Sequence, residues 1–258
     1  MDERTLLALD RNYRLASVET FAASQAGAAY ETRDVLCVSC GYPIPEFNWA
    51  FLKLPGADPV RGAEEAERFF GGRSSPFRFV VRGALASACD GVLPERGHAR
   101  LEKTTPGMSI VLPRSFPAPT AGLRIESVGS PKSLADFQTT AFSGFGIPTA
   151  MGARFLTDRL LESPDVALRI GYAGDVPVST AMMIATGRVA GIYWVATPEA
   201  HRRRGYAEAV TWAALEAGRD AGCTIGSLQA SEMGRPVYTR MGFAVSAEYE
   251  QYQRAVAG

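Results

Sequence analysis

The feature that most constrains this chain is a stretch, residues 195–222, that joins an apolar strand to an amphipathic helix through a short basic loop. The strand covers residues 190–195. The helix is predicted to begin near Gly205 and to end at Gly222, because a glycine past the last turn takes the left-handed cap without steric cost. Its apolar residues recur at helical spacing: Ala207, Val210, Ala214 and Ala217.

The basic loop places three arginines, Arg202, Arg203 and Arg204, beside the start of this helix. Cations are unfavourable there by roughly 0.3–1 kcal/mol each, because the positive end of the helix dipole lies at that terminus. A bound anion explains the arrangement. Free backbone N–H groups at a helix start bind phosphates, and Gly205 lets the backbone approach closely. The loop is predicted to hold a pyrophosphate; the alternative is a solvated basic helix start.

A second motif lies downstream, in residues 224–243. A strand over residues 224–229 leads to Ser231, a residue type that favours helix N-caps. The short helix predicted to follow contains Tyr238 and ends at Gly242. Phe243 then begins another strand.

Both motifs resemble those of the GNAT superfamily of N-acyltransferases. The pattern Arg202-x-x-Gly205-x-Ala207 is similar to the family's acyl-CoA pyrophosphate loop. The family's second signature is matched by Ser231, Tyr238, Gly242 and Phe243. The resemblance covers roughly residues 123–254. It implies an α/β (α+β) fold with a mixed, mostly antiparallel central sheet, flanked by helices and containing a splayed strand pair.

The resemblance also implies a reaction: transfer of an acetyl group from acetyl-CoA to a primary amine of a small molecule or amino acid, by direct attack. The acyl-pantetheine arm would lie between two splayed strands, residues 193–197 and 224–230. The N–H of Val195 would stabilise the oxyanion. The implied cofactor-binding residues are Val195, Thr197, Arg202, Arg203, Arg204, Gly205, Tyr206, Ala207 and Ser231.

The resemblance gives Tyr238 the role of general acid toward the leaving thiolate. The alternative is a core tyrosine that only contacts the cofactor sulfur, and Ser231 has helix capping as its alternative. No general base is assigned, because residues 190–195 contain no Asp or Glu. Glu199 is interpreted as a surface carboxylate, while Tyr193 or water stays open as a proton acceptor.

The acceptor site is the least determined part. Its candidate lining residues have the protein core as their alternative: Phe142, Phe145, Ile147 and Trp194. Two other functions stay open, which are acetylation of protein lysines or N-termini and non-catalytic sensing of acyl-CoA. The oligomeric state is also open, with a homodimer as one alternative.

Charge and cysteine content exclude several classes. The chain has 27 Lys and Arg against 27 Asp and Glu, whereas general nucleic-acid or anionic-membrane binding needs excess positive charge. Cys37 and Cys40 have no second Cys or His pair, so no metal is expected. No apolar run reaches the length of a membrane span, and the acidic start lacks the form of a signal peptide. A cytoplasmic location is expected.

The chain is predicted to contain two domains, residues 1–118 and 119–258. The proline-rich segment 113–122 is the predicted linker. The first domain is interpreted as a degenerate GNAT-like half without its own cofactor loop, or as an unrelated α+β cap. Its helix over residues 58–70 should be capped by Asp58. In the second domain, a helix is predicted over residues 151–161.

Overall fold

The computed structural model describes residues 1–118 and 120–254. Pro119, where the predicted second domain begins, and residues 255–258, where it ends, lie outside the described residues. The strands in the described chain are β1 (Ala28–Glu31), β2 (Val35–Ser39), β3 (Asn48–Leu52), β4 (Arg78–Arg82), β5 (His98–Arg100), β6 (Thr105–Val111), β7 (Leu123–Ser127), β8 (Val166–Ala173), β9 (Val176–Thr186), β10 (Val189–Ala196), β11 (Ile225–Gln229) and β12 (Ala244–Arg254).

The described helices are α1 (Glu3–Ser17), α2 (Pro59–Gly71), α3 (Val92–Glu95), α4 (Pro131–Phe145), α5 (Gly152–Phe155), α6 (Arg159–Glu162), α7 (Tyr206–Asp220) and α8 (Arg235–Arg240). A π-helical turn, Val18–Ala22, continues α1. Across residues 1–118 and 120–254, no helix has the length and apolar character that a membrane span requires.

Contacts divide the described chain into two compact units, each made of two separate segments. The first unit contains Met1–Ala16 and Met108–Ala244. The second unit contains Ser17–Gly107 and the segment that begins at Val245. The predicted division is a single boundary between residues 118 and 119. It therefore places the N-terminal segment Met1–Ala16 and the C-terminal segment from Val245 in different units from those that the contacts define. Which unit a terminal segment joins depends on the elements that it packs against, and the order of the chain does not reveal this.

The first unit has the predicted fold class. Its strands are ordered β6-β11-β10-β9-β8-β7. The pairs β7–β8, β8–β9 and β9–β10 are antiparallel, whereas β10 and β11 are parallel. Helices α4 and α7 both pack on β9 and β10. The prediction of a mixed, mostly antiparallel sheet flanked by helices, with a splayed strand pair, is confirmed here.

Capping residues set the ends of the two long helices of this sheet. Ser130 caps α4 through a capping box with Ser133, and Gly146 ends it in the left-handed conformation, with φ of 69°. Helix α7 ends as predicted, since Gly222 adopts a φ of 89°. The predicted helix over residues 151–161 is wrong: two single-turn helices, α5 and α6, replace it.

Helix α1 belongs to the first unit because a buried asparagine ties it to the sheet. The amide of Asn12 donates to the carbonyl of Ile184 at 2.9 Å, and its Oδ1 accepts from the Tyr193 hydroxyl at 2.7 Å. Gly191 provides the space for this contact, because a Cβ there would lie 1.9 Å from Asn12 Oδ1. The sequence analysis missed this packing.

The second unit repeats part of this strand order. Its sheet runs β1-β2-β3-β4-β12, and β5 also pairs with β12. Strands β2 and β3 are antiparallel, β3 and β4 are parallel, and α2 connects that parallel pair. The first unit has the same sequence of pairings in β9, β10, α7 and β11. Each unit therefore contains a β-β-α-β segment of the same topology.

We expect Gly191→Ala to destabilise the protein by about 1–3 kcal/mol, because the added methyl group must displace the buried Asn12 side chain. Chemical denaturation, compared with wild type, measures the loss. Gly129→Ala is the matched control, since a Cβ at that exposed position meets no atom within 4 Å. Equal stability of the two variants would contradict this account of α1 docking.

Candidate active site

A gap between two parallel strands forms the centre of the candidate site. The paired residues of β10 and β11 are Val189 with Ile225, Ala190 with Gly226 and Gly191 with Ser227. The pairing ends there, although β10 continues to Ala196 and β11 to Gln229. The remaining strand edges leave room for an extended ligand that forms backbone hydrogen bonds.

A bulge in β10 shapes the side of this gap where Val195 lies. The register with β9 shifts between Tyr193 and Ala196, and Trp194 has a φ of 50°. This left-handed conformation is strained for a bulky residue, at a cost of about 1–3 kcal/mol. The neighbouring Ile192 and Val195 pack against the core beneath α7, while Trp194 stacks on Phe142 of α4.

Two buried hydroxyl groups of β9 hold the bulge in place. Thr180 donates to the carbonyl of Trp194 at 2.9 Å. Ser179 donates to the carbonyl of Ala196 at 3.2 Å and contacts the Thr197 hydroxyl at 2.8 Å. The sequence analysis missed both residues, because serine and threonine in a strand carry no separate signal for this role.

The start of α7 has the properties of an anion site. Gly205 occupies the N-cap position with φ of 77°, and no side chain caps the helix. Across the described residues, the N–H groups of Tyr206 and Ala207 have no hydrogen-bond acceptor. Within the described part of the chain, a Cβ at Gly205 would meet only Thr120, with its nearest atom at 3.4 Å. Open backbone donors at a positive helix end fit a phosphate group.

The three arginines of the loop have different surroundings. Arg203 and Arg204 are exposed, and Arg203 has a φ of 63°. Among the residues that the structure describes, their charged ends make one contact, a long one of 3.4 Å from Arg204 to the carbonyl of Ala200. Arg202 instead donates to the carbonyls of Thr197 and Gly144, at 3.0 and 3.1 Å. Two of the three predicted phosphate ligands therefore keep an accessible guanidinium.

Tyr238 of α8, the predicted general acid, lies in the same core cluster as Val195, the predicted oxyanion donor. Its side chain is buried, and the ring contacts Phe243 edge to face at a centroid distance of 5.9 Å. Burial raises the pKa of the Tyr238 hydroxyl well above its usual range, so the phenol stays protonated at neutral pH. A protonated hydroxyl is compatible with either predicted role.

Ser231 stabilises a turn before α8. Its Oγ accepts from the N–H of Gly234 at 3.1 Å, and its carbonyl accepts from Arg235. The helix N-cap is Gly234, so the prediction that Ser231 itself caps the helix is off by three residues. Nearby, at the end of β11, Oε1 of Gln229 is buried without a hydrogen-bond partner in the described chain. Sequence analysis did not single out this residue.

An aromatic group lies on the opposite side of the bulge. Phe142 is fully buried, so of its two predicted places, the acceptor site and the protein core, the structure shows the core. Phe145, at the end of α4, is 50% exposed and meets Trp194 edge to face at 5.5 Å. Ile147 is half-buried. Phe145 is thus the aromatic residue here that solvent, or a bound molecule, can reach.

Neither residue considered as a base is well placed for that role. Tyr193 donates its hydroxyl to Asn12, and burial raises the pKa of Tyr193 well above its usual range. Both effects oppose proton abstraction at neutral pH. Glu199 is exposed at the start of the loop, in a single 3-10 turn. Strands β10 and β11 contain no Asp, Glu or His.

Comparison with protein families agrees with this geometry. Residues 171–246 match the family described as "Acetyltransferase (GNAT) domain". By this match, the segment is similar to GNAT domains. It contains the gap, the arginine loop and Tyr238, so the predicted catalytic and cofactor-binding residues fall within the matched range, whereas the acceptor-site candidates Phe142, Phe145 and Ile147 precede it. No curated protein matches the chain.

Solved structures share the fold over most of the chain. A GCN5-related N-acetyltransferase from Kribbella flavida is 18% identical, with a TM-score of 0.69 and 95% of each chain covered. One from Sphaerobacter thermophilus is 15% identical, with a TM-score of 0.65, covering 86% of this chain and 80% of that chain. A tandem GNAT protein from the clavulanic acid biosynthesis pathway is 13% identical, with a TM-score of 0.60 and coverage of 95% and 88%.

We expect Arg203→Gln and Arg204→Gln each to weaken CoA binding by the GNAT-like domain about 10- to 100-fold, since one charge-assisted hydrogen bond is worth roughly 1.5–3 kcal/mol. Isothermal titration calorimetry with CoA measures the dissociation constants. Arg154→Gln removes an exposed arginine from α5 and is the control. Unchanged affinity in both loop variants would rule out the phosphate site.

Proposed function

We propose that the GNAT-like domain is an acetyl-CoA-dependent N-acetyltransferase that acts on a primary amine of a small molecule or amino acid. One observation carries this proposal. The parallel strands β10 and β11 separate after three residue pairs, and the chain then leads to an uncapped helix start with two accessible arginines. An extended arm and a pyrophosphate are the two parts of CoA that these features fit.

Different groups of the loop and of the strand before it would bind different parts of the cofactor. The backbone N–H groups of Tyr206 and Ala207 would hold phosphate oxygens, together with the side chains of Arg203 and Arg204. The strand edge at Val195 and Thr197 would pair with the amides of the pantetheine arm. Glu208 adds a negative charge in the first turn of α7, which the arginines offset.

Acetyl-CoA supplies an acetyl thioester that a neutral amine can attack. The N–H of Val195 would donate to the carbonyl oxygen as negative charge develops there. Tyr238 would donate its phenolic proton to the departing sulfur, and the phenolate would then regain a proton from water. Burial raises the pKa of Tyr238, which keeps the phenol protonated but makes it a weaker acid, so the transfer requires that the hydroxyl and the sulfur be held close together. With no carboxylate on β10 or β11, the amine would lose its own proton to water.

The half-exposed Phe145, whose ring meets the buried Trp194 edge to face, provides an apolar surface near the reacting end of β10. Aromatic surfaces of this kind favour amines with apolar or aromatic bodies. We therefore place the acceptor on this side of the bulge. A lysine side chain of a protein is the alternative acceptor, and a peptide panel distinguishes it from free amines.

A second candidate is a non-catalytic acyl-CoA sensor. The observation that favours it is the lack of Asp, Glu and His on both strands of the gap. A sensor would bind acetyl-CoA without turnover against any amine or peptide. Release of free CoA by the wild type in the presence of an amine would exclude it.

Titration of the purified chain with acetyl-CoA, followed by a thiol-release assay with amine and peptide panels, tests both candidates. The assay has little interference from the protein, because all four cysteines are buried and burial raises the pKa of Cys40 and Cys89 to about 11. Micromolar binding and CoA release support the enzyme. Binding without release supports the sensor, and no binding overturns both.

We also propose that the second unit is a degenerate acetyltransferase-like half that binds no CoA. Its helix α2 occupies the topological position of α7, but the carboxylate of Asp58 accepts from the N–H groups of Val60 and Arg61 at 3.0 and 3.2 Å. The Asp58 cap agrees with the sequence prediction. A carboxylate on these amides takes the place that an anion would need and repels it.

The calorimetric stoichiometry should therefore be one CoA per chain. Asp58→Ser keeps a capping side chain while removing the charge, and it should leave the stoichiometry at one, since the second unit also lacks an arginine loop. Two sites in the wild type would contradict the assignment of a closed helix start.

We expect Tyr238→Phe to lower kcat by about 100-fold or more, because proton donation to the leaving group contributes roughly 10²–10⁴-fold to such reactions. The acetyl-CoA dissociation constant should change little, since the ring and its packing against Phe243 remain. Steady-state kinetics and calorimetry measure the two quantities. Tyr172→Phe removes a hydroxyl that bonds Asp136 and serves as control. Equal kcat in both variants would remove Tyr238 from the mechanism.

A further inference from the structure

Arg202 occupies an unexpected position for the first residue of a phosphate loop. Its Nε donates to the carbonyl of Thr197 at 3.0 Å, and one terminal nitrogen donates to the carbonyl of Gly144 at 3.1 Å. Its backbone N–H is also used, in a bond to the carbonyl of Glu199 at 3.2 Å. The residue therefore bridges the exit of β10 and the last turn of α4.

The bond to Gly144 has a clear electrostatic reason. Gly144 lies in the last turn of α4, where the final four carbonyls have no intrahelical donor and the negative end of the helix dipole attracts cations. The same guanidinium would be unfavourable at the positive start of α7. Arg202 thus turns away from the helix that follows it and stabilises the end of another one.

The two backbones that Arg202 joins are also in close contact. A Cβ at Gly144 would lie 2.8 Å from the Cβ of Ala196 and 3.0 Å from the backbone nitrogen of Thr197. Only a glycine fits this contact without displacement. The fork of the arginine and the missing side chain of Gly144 together hold the end of α4 on the strand exit.

We propose that Arg202 is a positioning residue that couples the CoA loop to the acceptor side of the site, through α4. The adjoining residue on α4 is Phe145, whose ring meets Trp194 in the bulge. When CoA orders residues 199–207, the Arg202 bridge restrains the last turn of α4 and with it the Phe145 ring. This inference rests on the proposed function for its CoA step, whereas the bridge itself does not.

Hydrogen–deuterium exchange of the full chain, read on peptides covering the last turn of α4, tests the coupling. In the wild type, CoA should slow exchange there by about threefold or more, as expected when a local opening becomes rarer. Arg202→Gln should bind CoA within about threefold of the wild-type affinity, yet CoA should no longer slow exchange in this turn. Arg202→Lys should restore part of the protection, because an ammonium group can donate to these carbonyls but lacks the rigid fork of a guanidinium group.

Arg203→Gln is the matched comparison, because it removes a charge from the same loop without touching α4. It should weaken CoA binding, yet at saturating CoA it should keep the protection of the α4 turn. The proposal is overturned if Arg202→Gln loses CoA affinity as Arg203→Gln does and retains CoA-dependent protection. A purely structural arginine would change the exchange rate of the free protein without changing its response to CoA.

The failure of the proposed function would be recognised separately. If the wild type binds no CoA, the acetyltransferase proposal fails. The bridge is then judged on free protein alone, where faster exchange of the α4 turn in Arg202→Gln supports it and unchanged exchange overturns it.

Discussion

The candidate site depends on the separation of β10 from β11 after three residue pairs. Beyond Gly191, β10 no longer pairs with β11, and an extended ligand can bind along the edge that the two strands leave between them. The bulge at Trp194 accompanies this separation, and the residue accepts a strained left-handed conformation. Hydroxyl groups of Ser179 and Thr180 bind the carbonyls that the bulge displaces. Local strain is thus offset by buried hydrogen bonds at the place where the chemistry is proposed.

Electrostatics at helix ends organises the rest of the site. The start of α7 lacks a capping side chain and carries Arg203 and Arg204, an arrangement that is favourable only with an anion present. Arg202, by contrast, lies at the negative end of α4 and needs no ligand. Three adjacent arginines therefore divide into two with exposed guanidinium groups, which we propose bind a phosphate, and one that supports the fold.

The two units show how one β-β-α-β topology can lead to different sites. In the second unit, the Asp58 carboxylate caps α2 and closes the helix start. In the first unit, Gly205 leaves the equivalent amides open. The choice of one residue at the N-cap decides whether the helix dipole is neutralised within the chain or is available to a ligand.

The sequence by itself determined the arginine loop and the ends of α7, because periodicity, glycines and caps act over a few residues. It indicated the fold class of the first unit only through the resemblance of its two motifs to the GNAT superfamily. The tertiary structure decided what depends on distant segments: the place of α1 in the first unit, the role of Ser179, and the turn of Arg202 toward Gly144. The partner carbonyl lies 58 residues away in the chain, and the sequence pattern around Arg202 contains no information about it. The local sequence predicted a cluster of positive charge, whereas tertiary packing determined which carbonyls the Arg202 guanidinium contacts.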